Sequence, residues 1–175
     1  ARNYSEQEQL LILENINESD GYFVSVNFDN LDRFLGKNIA SLEYFRGELK
    51  RNDLFDPSRA NLDDSFQRLN LIAARIQKVY GYMTALVRVT GQYSPDRLPP
   101  SDQAVLGGYG SVRGHAPSQF LGDSGYGVAA ELMFAPPFIA DKTVFGQRLA
   151  QLVQFAVFFD HGGVFINDPE PGEIS

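Results

Sequence analysis

The sequence predicts an all-β protein whose strands pair as an antiparallel sheet. Apolar and polar residues alternate with a period of two over most of the chain, as in strands that have one apolar face. Aromatic residues, which favour strands, are frequent: the 175 residues include 14 phenylalanines and 8 tyrosines. Glycine- and proline-containing turn sequences separate the alternating segments. These patterns indicate consecutive strands joined by turns.

The first clear strand is predicted at residues 22–29, and a second at 39–48, where weaker alternation leaves the register open. Before them, residues 8–14 fit either a strand or a short helix, because their apolar residues are consecutive. The apolar face of the first strand consists of Tyr22, Val24, Val26 and Phe28. Residues 50–64 are charged and rich in turn formers, which predicts an exposed loop.

Two further strands, at residues 66–77 and 83–92, flank a short turn and form a predicted hairpin. A long loop follows at about 95–125, and a strand resumes at 128–134 before a pair of prolines ends it. The last strand is predicted at 149–161. In all, the sequence predicts about seven strands.

The segment from Ala104 to Leu132 holds 7 of the 16 glycines and a single arginine, Arg113. Glycines at this density predict a backbone that turns sharply or passes close to another surface. Its Gly-Asp-Ser-Gly tetrapeptide also occurs around the nucleophilic serine of trypsin-like proteases, but neither His115 nor His161 lies in a triad setting. The glycine spacing does not fit the G-x-G-x-x-G of dinucleotide-binding loops. Neither pattern supports a catalytic site, and we predict no catalytic residues.

Two motifs follow one another along the chain. The first is the series Leu106-Gly107-Gly108, Ser111-Val112-Arg113-Gly114 and Leu121-Gly122-Asp123-Ser124-Gly125, and the second is Phe158-Phe159-Asp160-His161-Gly162, an F-x-D-x-G pattern. This arrangement resembles the sixth extracellular loop and a barrel strand of two-partner secretion transporters, the haemolysin secretion/activation proteins of the bacterial outer membrane. The resemblance extends from about Gly21 to Gly162. It departs from the family pattern at His115, where tyrosine or phenylalanine is usual.

The resemblance implies an antiparallel transmembrane β-barrel of sixteen strands. Residues 1–175 would be an incomplete section of this C-terminal barrel domain, without the periplasmic POTRA domains and the remaining strands. The chain has no run of about 18 apolar residues, as a membrane-spanning helix would need. Strands of a barrel instead place alternate residues toward lipid and lumen.

The resemblance also implies a function. The parent protein would be a translocation pore in the bacterial outer membrane, in contact with its lipid, and would secrete a large unfolded partner of the haemolysin or filamentous-adhesin type. No cofactor is implied. The net charge of −7 argues against a nucleic-acid partner.

The site residues come from the same resemblance. The loop motif Val112, Arg113, Gly114 and His115 would fold back into the lumen, where Arg113 would pair with Asp160, an inward-facing acid of the strand motif Phe158, Asp160 and Gly162. An arginine fork suits a carboxylate, and a buried arginine needs such a partner. The remaining motif residues are the loop series Gly107, Gly108, Gly122, Asp123 and Gly125. Arg88 and Glu131 fall on predicted lumen faces. A metal held by His115, His161 and Asp160 is considered and not predicted.

Two alternatives share some of these features. A sister barrel that inserts other outer-membrane proteins contains both motifs. A soluble β-sandwich binding module would show the same alternation of residues. A barrel section predicts one curved, open sheet with the glycine-rich loop against its concave face, whereas the sandwich predicts two packed layers.

Overall fold

The computed structural model describes residues 19–49 and 62–169, and its main element is a six-stranded antiparallel sheet. In chain order, the strands of the described part are β1 Ser19–Leu31, β2 Gly36–Leu49, β3 Ser65–Tyr80, β4 Met83–Tyr93, β5 Ala104–Leu106, β6 Phe120–Gly122, β7 Ser124–Phe134, β8 Thr143–Val144, β9 Gln147–Arg148 and β10 Phe155–Phe165. Two short helices are α1 Pro137–Ala140 and α2 Leu149–Leu152. The main sheet has the order β1-β2-β3-β4-β7-β10, while β5 pairs with β6 and β8 with β9.

Two short turns and the connection from β7 to β10, residues 135–154, lie at one end of the sheet, which we call the turn end. Between β1 and β2, the Asp32 carboxylate accepts the main-chain N–H groups of Phe34 and Gly36 at 2.9 and 3.0 Å. Between β3 and β4, Gly81 adopts a φ of 53°. The opposite end, called the loop end, carries the connection from β4 to β7. The longest connection of the described part, residues 94–123, therefore lies at the loop end, and outer-membrane barrels likewise have their longer loops at one end.

The register sorts the strands into two faces. Because side chains alternate along a strand, cross-strand partners share a face, and Val26 pairs with Leu42, which pairs with Leu71. This outer face is apolar and exposed; its members include Tyr22, Val24, Val26, Leu42, Leu71, Val87, Val157 and Phe159. The inner face carries most of the polar groups, among them Ser25, Asn27, Glu43, Asn70, Arg88, Glu131 and Asp160. An apolar face that no second layer covers is the pattern of a sheet that faces lipid.

The predicted all-β, antiparallel barrel section is confirmed in its class, and the sheet is open rather than closed. The sheet has six strands where about seven were predicted; the segment at 8–14 lies outside the described residues. No second sheet of comparable size packs on the main sheet in residues 19–49 and 62–169, which contradicts the two-layer sandwich. In the same residues, no helix is long and apolar enough to cross a membrane.

The prediction of a last strand at 149–161 is wrong at both ends. Residues 149–152 form α2, because the sequence Leu-Ala-Gln-Leu consists of strong helix formers. The strand runs instead from Phe155 to Phe165 and continues through Gly162 and Gly163. Those glycines do not end the strand, since both remain paired with β7.

Candidate functional site

The long connection between β4 and β7 returns over the inner face of the sheet. Its β5–β6 hairpin pairs Ala104 with Gly122 and Leu106 with Phe120. The Leu106 side chain lies so close to the sheet that a Cβ added to Gly162 would come within 3.1 Å of it. The loop therefore covers the inner face of β7 and β10. The alternation of residues did not predict this hairpin.

A tight turn at residues 107–115 forms the loop tip. Gly107 and Gly108 have φ angles of 109° and 89°, which only glycine adopts without strain. The Ser111 hydroxyl accepts the N–H of Gly107 at 2.8 Å, and the N–H of Gly108 donates to the carbonyl of His115 at 3.1 Å. This closed turn presents Arg113 toward β10.

Arg113 and Asp160 are joined by three hydrogen bonds. Arg113 Nε lies 2.7 Å from Asp160 Oδ2, and Nη2 lies 2.8 Å from Oδ1. The main-chain N–H of Arg113 also donates to Oδ2, at 3.0 Å. The side chains are 18% and 4% exposed respectively. The arrangement is the two-pronged arginine–carboxylate geometry, the strongest form of charged hydrogen bond.

Two further side chains surround the guanidinium. Arg113 Nη1 lies 2.7 Å from Glu131 Oε2 on β7. The Arg113 Cζ atom lies 3.6 Å from the centroid of the Phe158 ring, which is the distance of a cation–π contact. The hydrogen bonds that the guanidinium donates to Asp160 first, and to Glu131 second, raise the pKa of Arg113 above its ordinary value. The guanidinium is therefore held from three sides.

Arg88 adds a second cation to this site. On β4 it lies opposite Ala129, which in turn lies opposite Asp160 on β10. Its Nη2 atom donates to the carbonyl of Gly110 in the loop tip. The two positive charges of Arg88 and Arg113 equal in number the two negative charges of Glu131 and Asp160, so this site is formally neutral. Such a cluster can hold a loop against the sheet without carrying out a chemical step.

The remaining predicted residues take different places. A Cβ at Gly162 would lie 2.7 Å from the carbonyl oxygen of Tyr126 and 3.3 Å from Val112 Cγ2, so glycine lets the loop tip approach β10. Gly114 also belongs to the tip, with a φ of 94°. Gly122, Asp123 and Gly125 lie farther away, where the loop rejoins the sheet.

The two histidines do not meet in a common site. The His115 ring packs on Phe120 with centroids 5.2 Å apart, and its Nδ1 lies 3.2 Å from the Gln119 side-chain oxygen. His161 instead forms a 3.0 Å hydrogen bond with the hydroxyl of Tyr126. Across the residues that the structure describes, no three His, Cys, Asp or Glu side chains form a group that could hold a metal ion.

Sequence reasoning placed Glu131 and Arg88 on the inner face but gave them no partners. The alternation of residues was the available signal. It determines which face of the sheet a side chain occupies, but not which side chains lie next to it. Only the register, with Asp160 opposite Ala129, places Glu131 within reach of Arg113.

Comparison with known proteins places this site within a family. The family model described as haemolysin secretion/activation protein ShlB/FhaC/HecB matches residues 49–173, a range that includes both Arg113 and Asp160. The match begins later than the expected position near Gly21. No match was found among curated proteins or among solved structures. Because the match spans well over half of the chain, the protein belongs to the haemolysin secretion/activation family, the transporters of two-partner secretion.

Proposed function

We propose that the parent protein is an outer-membrane pore that secretes a large unfolded partner of the haemolysin or filamentous-adhesin type. In this proposal, residues 1–175 are part of the C-terminal barrel domain, and the Arg113–Asp160 pair holds the loop tip in the lumen. The three hydrogen bonds between these two residues carry the argument, because they tie a long loop to a strand on the polar face of the sheet. Family membership supports transport rather than an enzymatic reaction.

The outer face supports a position in the membrane. Tyrosines stand on this face near the loop end of four of the six main strands, β1, β2, β4 and β7: Tyr22, Tyr44, Tyr93 and Tyr126. Tyrosine is enriched where a barrel meets the membrane–water interface. The 11 residues of β4 separate Tyr93 from Met83 near the turn end. At about 3.4 Å per residue and a tilt of about 40°, this distance spans about 26 Å, close to the apolar band of such barrels, about 25 Å.

The inner face supports a path for an extended chain. The loop hairpin lies over β7 and β10, and near the loop end Asp102 of the same connection pairs with Arg68 on the inner face of β3, at 3.4 Å. A cleft between β5 and strands β2 to β4 is lined by the polar side chains of Ser41, Glu43, Asn70 and Gln92 and by apolar side chains that include Ile72, Val105 and Leu106. The polar side chains of this cleft offer hydrogen bonds to a passing main chain.

The same superfamily includes barrels that insert other outer-membrane proteins. Those barrels share both motifs, so the Arg113–Asp160 pair does not separate the two functions. The family match favours secretion.

A charge-swap cycle in the full-length transporter tests the proposal. Arg113→Asp and Asp160→Arg should each block the appearance of the partner outside cells, because each leaves like charges facing one another. The double variant should restore part of the secretion. Restoration is expected to be incomplete, since Glu131 lies 2.7 Å from the position of the Arg113 guanidinium and would face the new aspartate.

Lys37→Asp provides the matched control. Lys37 pairs with Asp29 at 3.3 Å, but both side chains are more than half exposed, so secretion should not change. If all three variants of the cycle secrete like the parent, the pair has no role in transport.

A further inference from the structure

Asp123 is a fully buried carboxylate, 0% exposed, at the junction of β6 and β7. Its Oδ1 accepts the main-chain N–H of Leu98 at 2.9 Å, and its Oδ2 accepts the main-chain N–H of Asn167 at 2.8 Å. Its own N–H donates to the carbonyl of Phe165 at 2.8 Å. The Gln92 side chain donates to its carbonyl at 3.2 Å. One residue therefore joins the end of β4, the start of the loop, the start of β7 and the segment after β10.

Neighbouring residues complete this junction. The Ser124 hydroxyl accepts the N–H of Ser94 at 3.0 Å and lies 3.2 Å from its carbonyl oxygen. The Asn167 side-chain amide donates to the carbonyls of Ser94 and Asp96, each at 3.0 Å. The Arg97 guanidinium donates to the carbonyls of Asn167 and Asp168. We call the set Ser94, Arg97, Asp123, Ser124 and Asn167 the loop base.

The loop base is separate from the site of Arg113. Phe165 lies five residues after Asp160 on β10, which is about 17 Å along a strand. None of the hydrogen bonds named for the loop base involves Arg113, Glu131 or Asp160. Groups at this distance that share no partner are expected to act independently.

We propose that Asp123 is a second anchor of the loop, a positioning residue that fixes the loop base to the sheet whether or not the tip is docked. The two carboxylate oxygens each accept an N–H from a different chain segment. An asparagine has the same shape but only one accepting oxygen, so its NH₂ group would face one of these N–H groups. The use of this anchor in transport rests on the proposed function. During transport, the loop could release its tip while Asp123 keeps its base attached to the sheet.

Limited trypsin digestion of the full-length protein in detergent tests the two anchors separately. Trypsin can cut after Arg97 in the base and after Arg113 in the tip, and Arg97 is only 8% exposed. Asp123→Asn should raise the rate of cutting after Arg97 by about tenfold or more, with cutting after Arg113 unchanged. Asp160→Asn should show the reverse pattern. A barrel that is destabilised throughout would not give two opposite patterns.

Asp141→Asn is the matched control. It makes the same chemical change at the turn end, where Asp141 accepts the Tyr82 hydroxyl at 2.6 Å, and should leave both cleavage sites as in the parent. If Asp123→Asn leaves Arg97 protected, the proposal is overturned. Because the readout is cleavage and not secretion, this result is independent of whether the Arg113–Asp160 pair acts in transport.

A second variant tests the loop base if Asp123→Asn fails to fold into a barrel. Ser124→Ala removes the hydroxyl that holds Ser94 and leaves every charge in place. It should expose the bond after Arg97 to a smaller degree, with the tip again protected. If Asp123→Asn does not fold and Ser124→Ala leaves the bond after Arg97 protected from trypsin, the proposal is overturned.

Discussion

Asp160 accepts three hydrogen bonds from Arg113, a residue 47 positions before it, and one of the three comes from the main chain. The main-chain bond fixes the loop backbone, and the two side-chain bonds fix the guanidinium plane. A lysine could replace the charge but not the planar fork. The contact therefore positions the loop tip as well as neutralising a charge.

Asp160 should matter more than Glu131, because it accepts three bonds from Arg113 while Glu131 accepts one. We expect Asp160→Asn to weaken docking of the loop tip by about 3 kcal/mol, as for breaking a buried ion pair. Glu131→Gln, which keeps an acceptor, should cost about 1 kcal/mol. The rate of trypsin cutting after Arg113, relative to the parent, gives both values. Equal effects, or a larger effect of Glu131→Gln, would contradict this ranking.

The Phe158 ring should stabilise the docked arginine through its face. Phe158→Leu keeps an apolar side chain but removes the ring 3.6 Å from Arg113 Cζ, and should weaken docking by about 1 kcal/mol. Phe158→Tyr keeps the ring and is the control. A double-mutant cycle with Arg113→Lys measures the coupling, which should be clearly different from zero. A cycle with no coupling would mean that the ring acts only by packing.

Two adjacent glycines of β10 should differ in their tolerance of alanine. A Cβ at Gly162 would lie 2.7 Å from the Tyr126 carbonyl oxygen and 3.3 Å from Val112 Cγ2, both of which it would displace. The atoms nearest to a Cβ at Gly163 belong to the Tyr126 side chain, which can shift, and lie at 3.1 Å or more. Gly162→Ala should therefore reduce secretion and expose Arg113 to trypsin, whereas Gly163→Ala should behave nearly like the parent. If both alanine variants show the same loss, the effect comes from the strand itself and not from contact with the loop tip.

The turn between β1 and β2 should lose order in acid. The main-chain N–H of Gly36, together with Arg75 and other donors, lowers the pKa of Asp32 below its ordinary value of 3.8. A lowered pKa stabilises the turn at pH values above the ordinary value, and this contribution disappears as the pH falls through the lower, folded value. Protection of the Gly36 amide from hydrogen exchange should fall over that range. In Asp32→Asn it should be lower at neutral pH and nearly constant with pH.

The strands of the sheet were predictable because apolar and polar side chains alternate every two residues in a strand with one apolar face. Residues 22–28 show this alternation directly. The short helix at 149–152 was not, because a segment of four residues is too short to show a period that separates a helix from a strand. Glu131 and Arg88 could be assigned to a face, but their neighbours depend on a register that spans three strands. Asp123 stood out only as part of a motif, and its role depends on Leu98 and Asn167, which are distant along the chain.

The tip and the base of the loop are held by different kinds of interaction, and dissolved salt weakens the two to different degrees. The tip depends on charges of opposite sign around Arg113, whereas the base depends largely on bonds from main-chain N–H groups. At about 1 M salt the Debye length is about 3 Å, so the attraction between Arg113 and Glu131, whose side chains are 18% and 22% exposed, weakens more than the buried pair with Asp160, while main-chain hydrogen bonds change little. Ionic strength is therefore a means of loosening the tip of the native loop while its base stays closed.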